Sequence, residues 1–503
     1  MTGDPTPAPV LVEGAFVCTA DADDRIVPHA SVLVVDGRIA ALGSAEDVVP
    51  AVAALSDEQR GRLERVDARG AMVLPGFVNP HFHDVFVDRA RQLLADGGYG
   101  DPQPGVFSQG GHVAVLSLVF DGLRGLVDHL RPDEAEAIAR YSLWTQLRCG
   151  ITTVGEVGSL NRPEATMGAL RFLGMRGAVN GWISDGYCDP ATGAFQRTRS
   201  VADIVAELDE VAAACAAQPG DQVRFLASAI YSLNMSDELG EAMADLVRRH
   251  DARFATHVAA LANESAASVT AFGRSSVRRF HDLGLLDDRL LAVHCAFTDA
   301  DEERLVREHG VHVCMAPAKY GTTGENTMSG NGGQFLRFKR AGVSLSVSTD
   351  GEAAAVAGQI EAMRMAWLPQ NELAADDTAV LPTEALAMGT RSAAAGLGWD
   401  AEIGSLEVGK QADLVLAPID DWRYLMVSRP LDAFLQMASY QDVRSVMVGG
   451  QWVIRDGRTL AADERDLEAA AVEATLAVVG RIDGNAAELR AAYDRRYGHR
   501  ARA

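Results

Sequence analysis

The chain has 503 residues, with 46 Lys and Arg against 69 Asp and Glu and a formal net charge of −23. So acidic a surface repels phosphate backbones, which excludes nucleic acid as an expected partner. No apolar run is long enough to cross a bilayer, so we expect no membrane partner. The N-terminus lacks the pattern of a signal peptide, and the six cysteines show no CxxC spacing. We therefore expect a cytoplasmic protein with buried, reduced thiols.

The two ends of the chain have a β pattern. Residues 30–44 alternate apolar and polar side chains around Asp36-Gly37, which is a hairpin signal. Alternation, Gly turns and β-branched residues return after Trp399. We predict that residues 8–71 and 401–461 pair into one small composite β-sandwich domain. Residues 462–503 are rich in Ala, Glu and Arg and predict a helical tail.

The middle of the chain, residues 72–400, alternates apolar runs with amphipathic helical stretches. Each run is apolar nearly throughout, as expected for strands covered on both faces. The run before His81 is followed by seven more, at 150–158, 177–186, 223–231, 252–260, 290–297, 311–317 and 343–351. Eight strands in this alternation predict an α/β fold, a (β/α)8 TIM-like barrel inserted in the β domain. Functional residues would lie at the C-terminal ends of the strands.

Metal-ligand residue types stand where the predicted strands end. His81 and His83 are two residues apart, so on an extended segment they project to the same side. Three later runs end in His257, His294 and Asp350. A single histidine near a strand end is more often a satisfied structural residue. Five candidates at one end of one barrel favour a metal site instead.

The order PGFVNPHFH, a strand-ending His, His-Cys and STDG resembles the amidohydrolase superfamily, in its cytosine/guanine deaminase and chlorohydrolase-like branch. The segment IGSLEVGKQADLVL at 403–416 is similar to the returning β strand of that family, and the likeness covers about residues 8 to 460. The resemblance implies that His81, His83, His257 and Asp350 are the metal ligands. It implies that His294 is a catalytic residue outside the ligand set.

Imidazoles with one carboxylate suit zinc, iron, cobalt or manganese better than calcium or magnesium, and we expect zinc first. The ion would lower the pKa of a bound water from roughly 16 to about 7, and the hydroxide would attack an electrophilic carbon. Asp350 could take the proton and pass it to the leaving nitrogen. His294 could orient the water or stabilise the developing negative charge.

The number of metal ions is predicted from the fourth strand. Two-metal members of the superfamily use a carboxylated lysine or a glutamate on a middle strand. Residues 223–231 contain no Lys, and Ser228 stands at the position where the family typically has His. We therefore predict one divalent ion, and we treat Ser228 as a candidate substrate contact.

Several positions depart from the family pattern. Deaminases of this branch usually have a Glu three residues after the fifth-strand His, where this chain has Ala260. Glu264 matches another acidic position common in the family and reads as a helix N-terminal charge. Glu156 is a second possible acid, with a structural carboxylate as the equal alternative. Lys319 and Tyr320 occupy the place of a Ser-Asn pair and are candidate substrate contacts.

The stretch at 96–115 is rich in Gly and Pro and predicts a mobile flap after the first barrel strand. Tyr99, Phe107 and His112 could touch a substrate from this flap. Loop residues without a function are the commoner alternative.

Two enzymatic hypotheses follow. The first is a mononuclear metal-dependent amidohydrolase that cleaves a C–N bond of an amide, urea or carbamate-like small molecule, because the Glu missing at Ala260 normally helps to protonate a ring nitrogen. The alternative is a deaminase or dechlorinase of a nitrogen heterocycle of the guanine, cytosine or triazine type, with Glu156 or His294 replacing that Glu. A third hypothesis, a non-catalytic binding subunit, is disfavoured by the complete ligand set. By analogy with the family we expect a homo-oligomer.

Overall fold

The computed structural model describes residues 7–84, 107, 112–156, 162–181, 183–329 and 333–498, without the side chains of 126, 127, 156 and 352–357. The strands are β1 (Val10–Cys18), β2 (Ile26–Val35), β3 (Arg38–Gly43), β4 (Glu64–Asp67), β5 (Ala71–Pro75), β6 (Phe77–Phe82), β7 (Ile151–Glu156), β8 (Arg176–Val179), β9 (Gly186–Cys188), β10 (Phe195–Arg197), β11 (Val223–Tyr231), β12 (Arg253–Val258), β13 (Leu290–His294), β14 (His312–Met315), β15 (Ser344–Val347), β16 (Leu414–Pro418), β17 (Ser445–Val448), β18 (Gln451–Arg455) and β19 (Arg458–Thr459).

The α-helices are α1 (Ala45–Ala53), α2 (Asp57–Arg62), α3 (Val113–His129), α4 (Pro132–Arg148), α5 (Pro163–Leu173), α6 (Val201–Ala216), α7 (Asp237–His250), α8 (Glu264–Phe272), α9 (Ser276–Asp282), α10 (Ala300–Glu308), α11 (Pro317–Thr323), α12 (Gln334–Arg340), α13 (Glu352–Ala374), α14 (Pro382–Met388), α15 (Arg391–Gly396), α16 (Pro430–Met437), α17 (Glu464–Asp483) and α18 (Ala486–Tyr497). Short 3-10 turns lie at Ser232–Asn234, Trp422–Tyr424 and Tyr440–Asp442.

The two ends of the chain pair with each other, as predicted, and the domain they form contains one mixed sheet of nine strands. β16 pairs antiparallel with β5, and β5 pairs in parallel with β1, so the C-terminal strands continue the N-terminal ones. The predicted hairpin is formed by β2 and β3. Its turn residues Asp36 and Gly37 have φ angles of 50° and 79°, the left-handed conformation that an Asp-Gly turn supplies at low cost. The domain limits given above remain predictions.

The eight predicted barrel strands form a parallel sheet in the order β6, β7, β8, β11, β12, β13, β14, β15, which confirms the TIM-like architecture. The sheet closes through a parallel β-bridge between Phe82 and Asp350. The backbone N–H of Asp350 donates to the carbonyl of His81 at 3.2 Å. The Asn79 side chain reinforces this closure, donating to the Thr349 hydroxyl at 2.7 Å and accepting the Thr349 N–H at 3.2 Å. Closure therefore brings the ends of the first and last barrel strands together.

The third barrel strand is shorter than predicted. The run 177–186 is a strand only as far as Val179, and Gly186 begins a separate hairpin of β9 and β10. The Asp185 carboxylate accepts both the N–H and the hydroxyl of Ser236. The side-chain amide of Asn180, directly after β8, donates to the carbonyl of Gly181 at 2.9 Å, and a local bond of this kind competes with the sheet ladder.

The predicted C-terminal helices are α17 and α18, and α17 packs against barrel helix α4. Arg481 forms an ion pair with the buried Glu134, and Arg148 lies 3.4 Å from Glu464. All six cysteine side chains are buried, and no two of them are bonded to each other. Within the described ranges, no helix has both the length and the apolarity needed to span a membrane.

Candidate metal centre

Three imidazoles and one carboxylate converge at the C-terminal end of the barrel. Nε2 of His83 lies 3.1 Å from Nε2 of His81 and 3.1 Å from Nε2 of His257. Oδ1 of Asp350 lies 3.5 Å from Nε2 of His81 and 3.8 Å from Nε2 of His83. All four ligand atoms lie within 4.8 Å of one another, and all four side chains are buried. The structure therefore brings together the four residues predicted as ligands, with His81 and His83 on the same side at the end of the first barrel strand.

The spacing of these atoms fits a single first-row metal ion. Bonds of 2.0–2.1 Å in a tetrahedron place neighbouring nitrogens about 3.3 Å apart, close to the two 3.1 Å separations. A set of three nitrogens and one carboxylate oxygen is also the donor chemistry that zinc and its neighbours prefer over calcium and magnesium. The residues present therefore fit a divalent transition metal.

Burial sets the protonation states that such a site needs. It lowers the pKa of His81, and it lowers the pKa of His257 to about 3, so both rings are neutral near pH 7. Nδ1 of His257 donates to the carbonyl of Ile230, which leaves Nε2 unprotonated and able to bind a metal. Burial by itself raises the pKa of Asp350, but Lys319 and the neighbouring imidazoles outweigh it and hold that pKa well below its usual range. The carboxylate is therefore ionised.

His294 lies beside the other oxygen of the same carboxylate. Its Nε2 is 3.5 Å from Oδ2 of Asp350, and its Nδ1 is 2.8 Å from the hydroxyl of Tyr320. That hydroxyl accepts the N–H of Ala316 at 2.9 Å, so its own proton can be donated to Nδ1. Burial lowers the pKa of His294 well below its usual value and raises that of Tyr320. In this arrangement the neutral ring carries its proton on Nε2, facing Asp350.

Unusual backbone conformations concentrate at this end of the barrel. The φ angle is 48° at Ala259, 70° at His294, 48° at Cys295 and 57° at Asp350. Each non-glycine residue in this region costs about 1–3 kcal/mol and persists only where its surroundings fix it. Here the Asp350 carboxylate accepts the N–H of Gly351 at 2.7 Å. Such strain is typical of functional sites, where the required direction of a side chain outweighs the energetic cost of the backbone conformation.

A buried ion pair borders the carboxylate of the centre. Nζ of Lys319 is bonded to Oε1 of Glu325 and lies 3.8 Å from Oδ2 of Asp350. The Thr323 hydroxyl donates to the same Glu325 oxygen at 2.5 Å, and the ring centroid of Phe107 lies 4.2 Å from Nζ. The sequence predicted Lys319 as a possible contact but not Glu325, because no periodicity marks a residue in this Gly- and Thr-rich stretch.

Glu264 has a structural position. Its buried carboxylate accepts the N–H groups of Ala259 and Ala260, both at 2.7 Å, and three hydroxyls, those of Tyr231, Ser232 and Ser276. A carboxylate has about four acceptor positions, so these five donors leave Glu264 none with which to accept a proton during the reaction. Its hydrogen bonds connect the end of β12 to the first turn of α8. Glu264 therefore does not replace the Glu that deaminases of this branch have at the position of Ala260.

The other predicted contacts are placed as follows. Ser228 is buried, accepts a hydrogen bond from Asn180 and is not a member of the metal cluster. Glu156 ends β7, and its side chain is outside the described part of the chain, as is Tyr99 of the predicted flap. His112 is exposed and accepts the N–H of Leu116 through its carbonyl at the start of α3.

A closed parallel barrel with a three-histidine, one-aspartate centre defines a metal-dependent hydrolase. Residues 72–453 match the family model described as the amidohydrolase family, and the chain belongs to that family.

The chain is similar in sequence to deaminases and in structure to a chlorohydrolase and a deaminase. The chain is 28% identical to an 8-oxoguanine deaminase of Pseudomonas aeruginosa, over 79% of this chain and 85% of that protein. It is 26% identical to a 5-methylthioadenosine/S-adenosylhomocysteine deaminase of Syntrophobacter fumaroxidans, over 90% and 94%. Among solved structures, a zinc complex of atrazine chlorohydrolase from Arthrobacter aurescens superimposes with a TM-score of 0.76 at 23% identity, over 93% and 100%. An adenosine deaminase from Xanthomonas campestris with bound zinc gives 0.75 at 22%, over 94% and 99%.

Proposed function

We propose that this amidohydrolase is a mononuclear zinc-dependent deaminase of a nitrogen heterocycle. The proposal depends on how the two oxygens of Asp350 are placed. Oδ1 faces the imidazoles of the metal site, and Oδ2 faces His294. The deaminase names of the two relatives described above support a substrate with an amine on a ring carbon. The hypothesis of a heterocycle deaminase, given above as the alternative, is therefore better supported than the hypothesis of an enzyme that cleaves amides, ureas or carbamates.

The chemistry that a bound ion supplies here is Lewis-acid activation of the attacking water. Oδ2 of Asp350 has no hydrogen-bond partner among the described residues, so it can accept the water proton and deliver it to the leaving nitrogen. Nε2–H of His294, held by the Tyr320 hydroxyl, can donate to the charge that develops on the substrate. A carbon–oxygen bond forms, the carbon–nitrogen bond breaks, and the amine departs as ammonia with that proton.

One zinc ion per chain is part of the proposal. The four converging ligands supply the protein donors for one transition-metal ion, and Ser228 on β11 offers no imidazole for a second ion. The zinc named in two related structures supports zinc over iron, cobalt or manganese.

A second candidate function is hydrolysis of an acyl C–N bond in an amide, urea or carbamate. The observation that favours it is Ala260, which is buried and supplies no carboxylate to protonate a ring nitrogen. An acyl substrate needs less help of that kind, because its developing negative charge rests on the carbonyl oxygen.

A substrate panel separates the two functions. The zinc-loaded protein is incubated with aminated purines, pyrimidines and triazines, and separately with amides, ureas and carbamates, and the products are identified by mass. We expect stoichiometric ammonia and an oxo-heterocycle from at least one aminated ring. Amine and acid fragments from the acyl set, with no ammonia from any ring, would refute the deaminase proposal in favour of the second candidate.

A further inference from the structure

Lys319 is a buried cation at the edge of the metal centre. Its side chain is 7% exposed, and that of its partner Glu325 is 1% exposed. Removing two charges from water costs several kcal/mol per ion, and their attraction seldom returns this as net stability. A pair maintained beside a reactive carboxylate is better explained by a function than by folding energy.

Lys319 and His294 approach the same oxygen atom. Nζ of Lys319 lies 3.8 Å from Oδ2 of Asp350, and Nε2 of His294 lies 3.5 Å from it. The imidazoles of the metal site face the other oxygen, Oδ1. The ammonium therefore borders the space in which Asp350 would exchange a proton with the reacting molecule.

Several contacts hold the lysine at this place. Glu325 binds its ammonium, Thr323 fixes Glu325 through its hydroxyl, and the ring of Phe107 covers the ammonium at 4.2 Å. Phe107 comes from the segment after the first barrel strand and Lys319 from the start of α11 after the seventh. A preorganised charge of this kind can stabilise a developing negative charge without being reoriented during the reaction.

We infer that Lys319 binds the electron-rich heteroatom conjugated to the attacked carbon of the substrate, with Glu325 as its positioning residue, an inference that rests on the proposed function. Attack on a ring carbon drives an electron pair onto the adjacent ring nitrogen. Ala260 brings no carboxylate to that nitrogen, whereas Lys319 brings a fixed positive charge. The preferred substrate therefore presents a hydrogen-bond acceptor, not an N–H donor, next to the carbon that loses its amine.

The first test is Lys319→Met, which keeps an unbranched side chain one atom shorter than lysine and removes its charge. We expect kcat/KM on the best aminated heterocycle to fall about 100-fold, the usual value of a charge-assisted hydrogen bond, with zinc content unchanged. Lys319→Arg keeps the charge and should recover at least about tenfold of this loss. Lys339→Met, at a partly exposed lysine 2.8 Å from Glu384, is the matched control and should leave kcat/KM unchanged.

The double variant Lys319→Met/Glu325→Gln removes both charges, so that no unpaired charge is left buried. We expect it to fold and to be as slow as the single variant. Activity of either variant within about threefold of the wild type would overturn the inference.

The second test uses two competitive inhibitors with no amine to lose, purine riboside and 1-deazapurine riboside, which differ in the ring nitrogen next to the attacked position. We expect the wild type to bind purine riboside at least about tenfold more tightly, and Lys319→Met to lose most of that preference. A merely structural lysine would weaken both ligands equally. A preference of equal size in wild type and variant would overturn the inference.

Failure of the deaminase proposal can be distinguished from failure of the inference about Lys319. If the wild type cleaves only acyl C–N bonds, phenylurea and phenylthiourea replace the two ribosides, because sulfur accepts hydrogen bonds more weakly than oxygen. A urea preference that disappears in Lys319→Met would then support the role of Lys319 while the deaminase proposal falls. A urea preference retained by the variant would refute both.

Discussion

Asp350→Asn is expected to reduce kcat by at least about 10³-fold with the fold retained, because the amide supplies neither the anionic ligand nor the proton acceptor that this position provides. Asparagine has the same shape as aspartate and tolerates the left-handed φ of 57° at this residue, so the backbone is not strained further. The measurement is steady-state turnover at saturating zinc, with circular dichroism to confirm folding.

A matched control for this variant is Asp456→Asn. Asp456 also has a positive φ, 50°, but its side chain is 74% exposed in a turn of the mixed sheet. We expect the control to keep full activity. Full activity of Asp350→Asn on any accepted substrate would contradict the role assigned to this carboxylate.

His294→Asn is expected to lower kcat about 100-fold or more while zinc content stays near that of the wild type. The imidazole Nε2 faces Asp350 and is not a member of the ligand cluster, so its loss removes a donor to the developing charge and not a metal bond. Asparagine again suits the positive φ of 70°. Zinc content and kcat are measured on the same preparation.

His281→Asn provides the comparison, because the His281 side chain is 44% exposed on α9. It should change neither zinc content nor kcat. Loss of zinc from His294→Asn would identify His294 as a ligand and require a different division of roles around Asp350.

Residue spacing and strand ends were sufficient to predict most of the metal centre. His81 and His83 follow from the two-residue period of a strand, and His257 and Asp350 from their positions after apolar runs. Parallel strands all point their carboxyl ends to one side, so the sequence alone places residues hundreds of positions apart at the same end of the barrel.

Other features depend on contacts that no local pattern encodes. Glu325 reaches Lys319 from an irregular stretch without periodicity, and Phe107 covers it from a distant segment. The ring orientation of His257 is set by the carbonyl of Ile230 on the neighbouring strand. The third barrel strand was predicted too long, because the apolar run continues past Val179, where the side chain of Asn180 already bonds the neighbouring backbone.

Glu264 illustrates a limit of family resemblance. Its acidic position is shared with relatives, and the sequence alone favoured a helix N-terminal charge over a family role. Its bonds to Ala259, Ala260 and three hydroxyls support the structural interpretation. Chemistry at the centre must then rely on Asp350, His294 and the groups around them.

The most direct test of a single ion held by His81, His83, His257 and Asp350 is elemental analysis of the purified chain and of His257→Ala. The wild type should contain one zinc per chain, and the variant less than about a tenth of that, because one of four converging ligands is lost. Two ions per wild-type chain, or a variant that retains its zinc, would contradict the assignment.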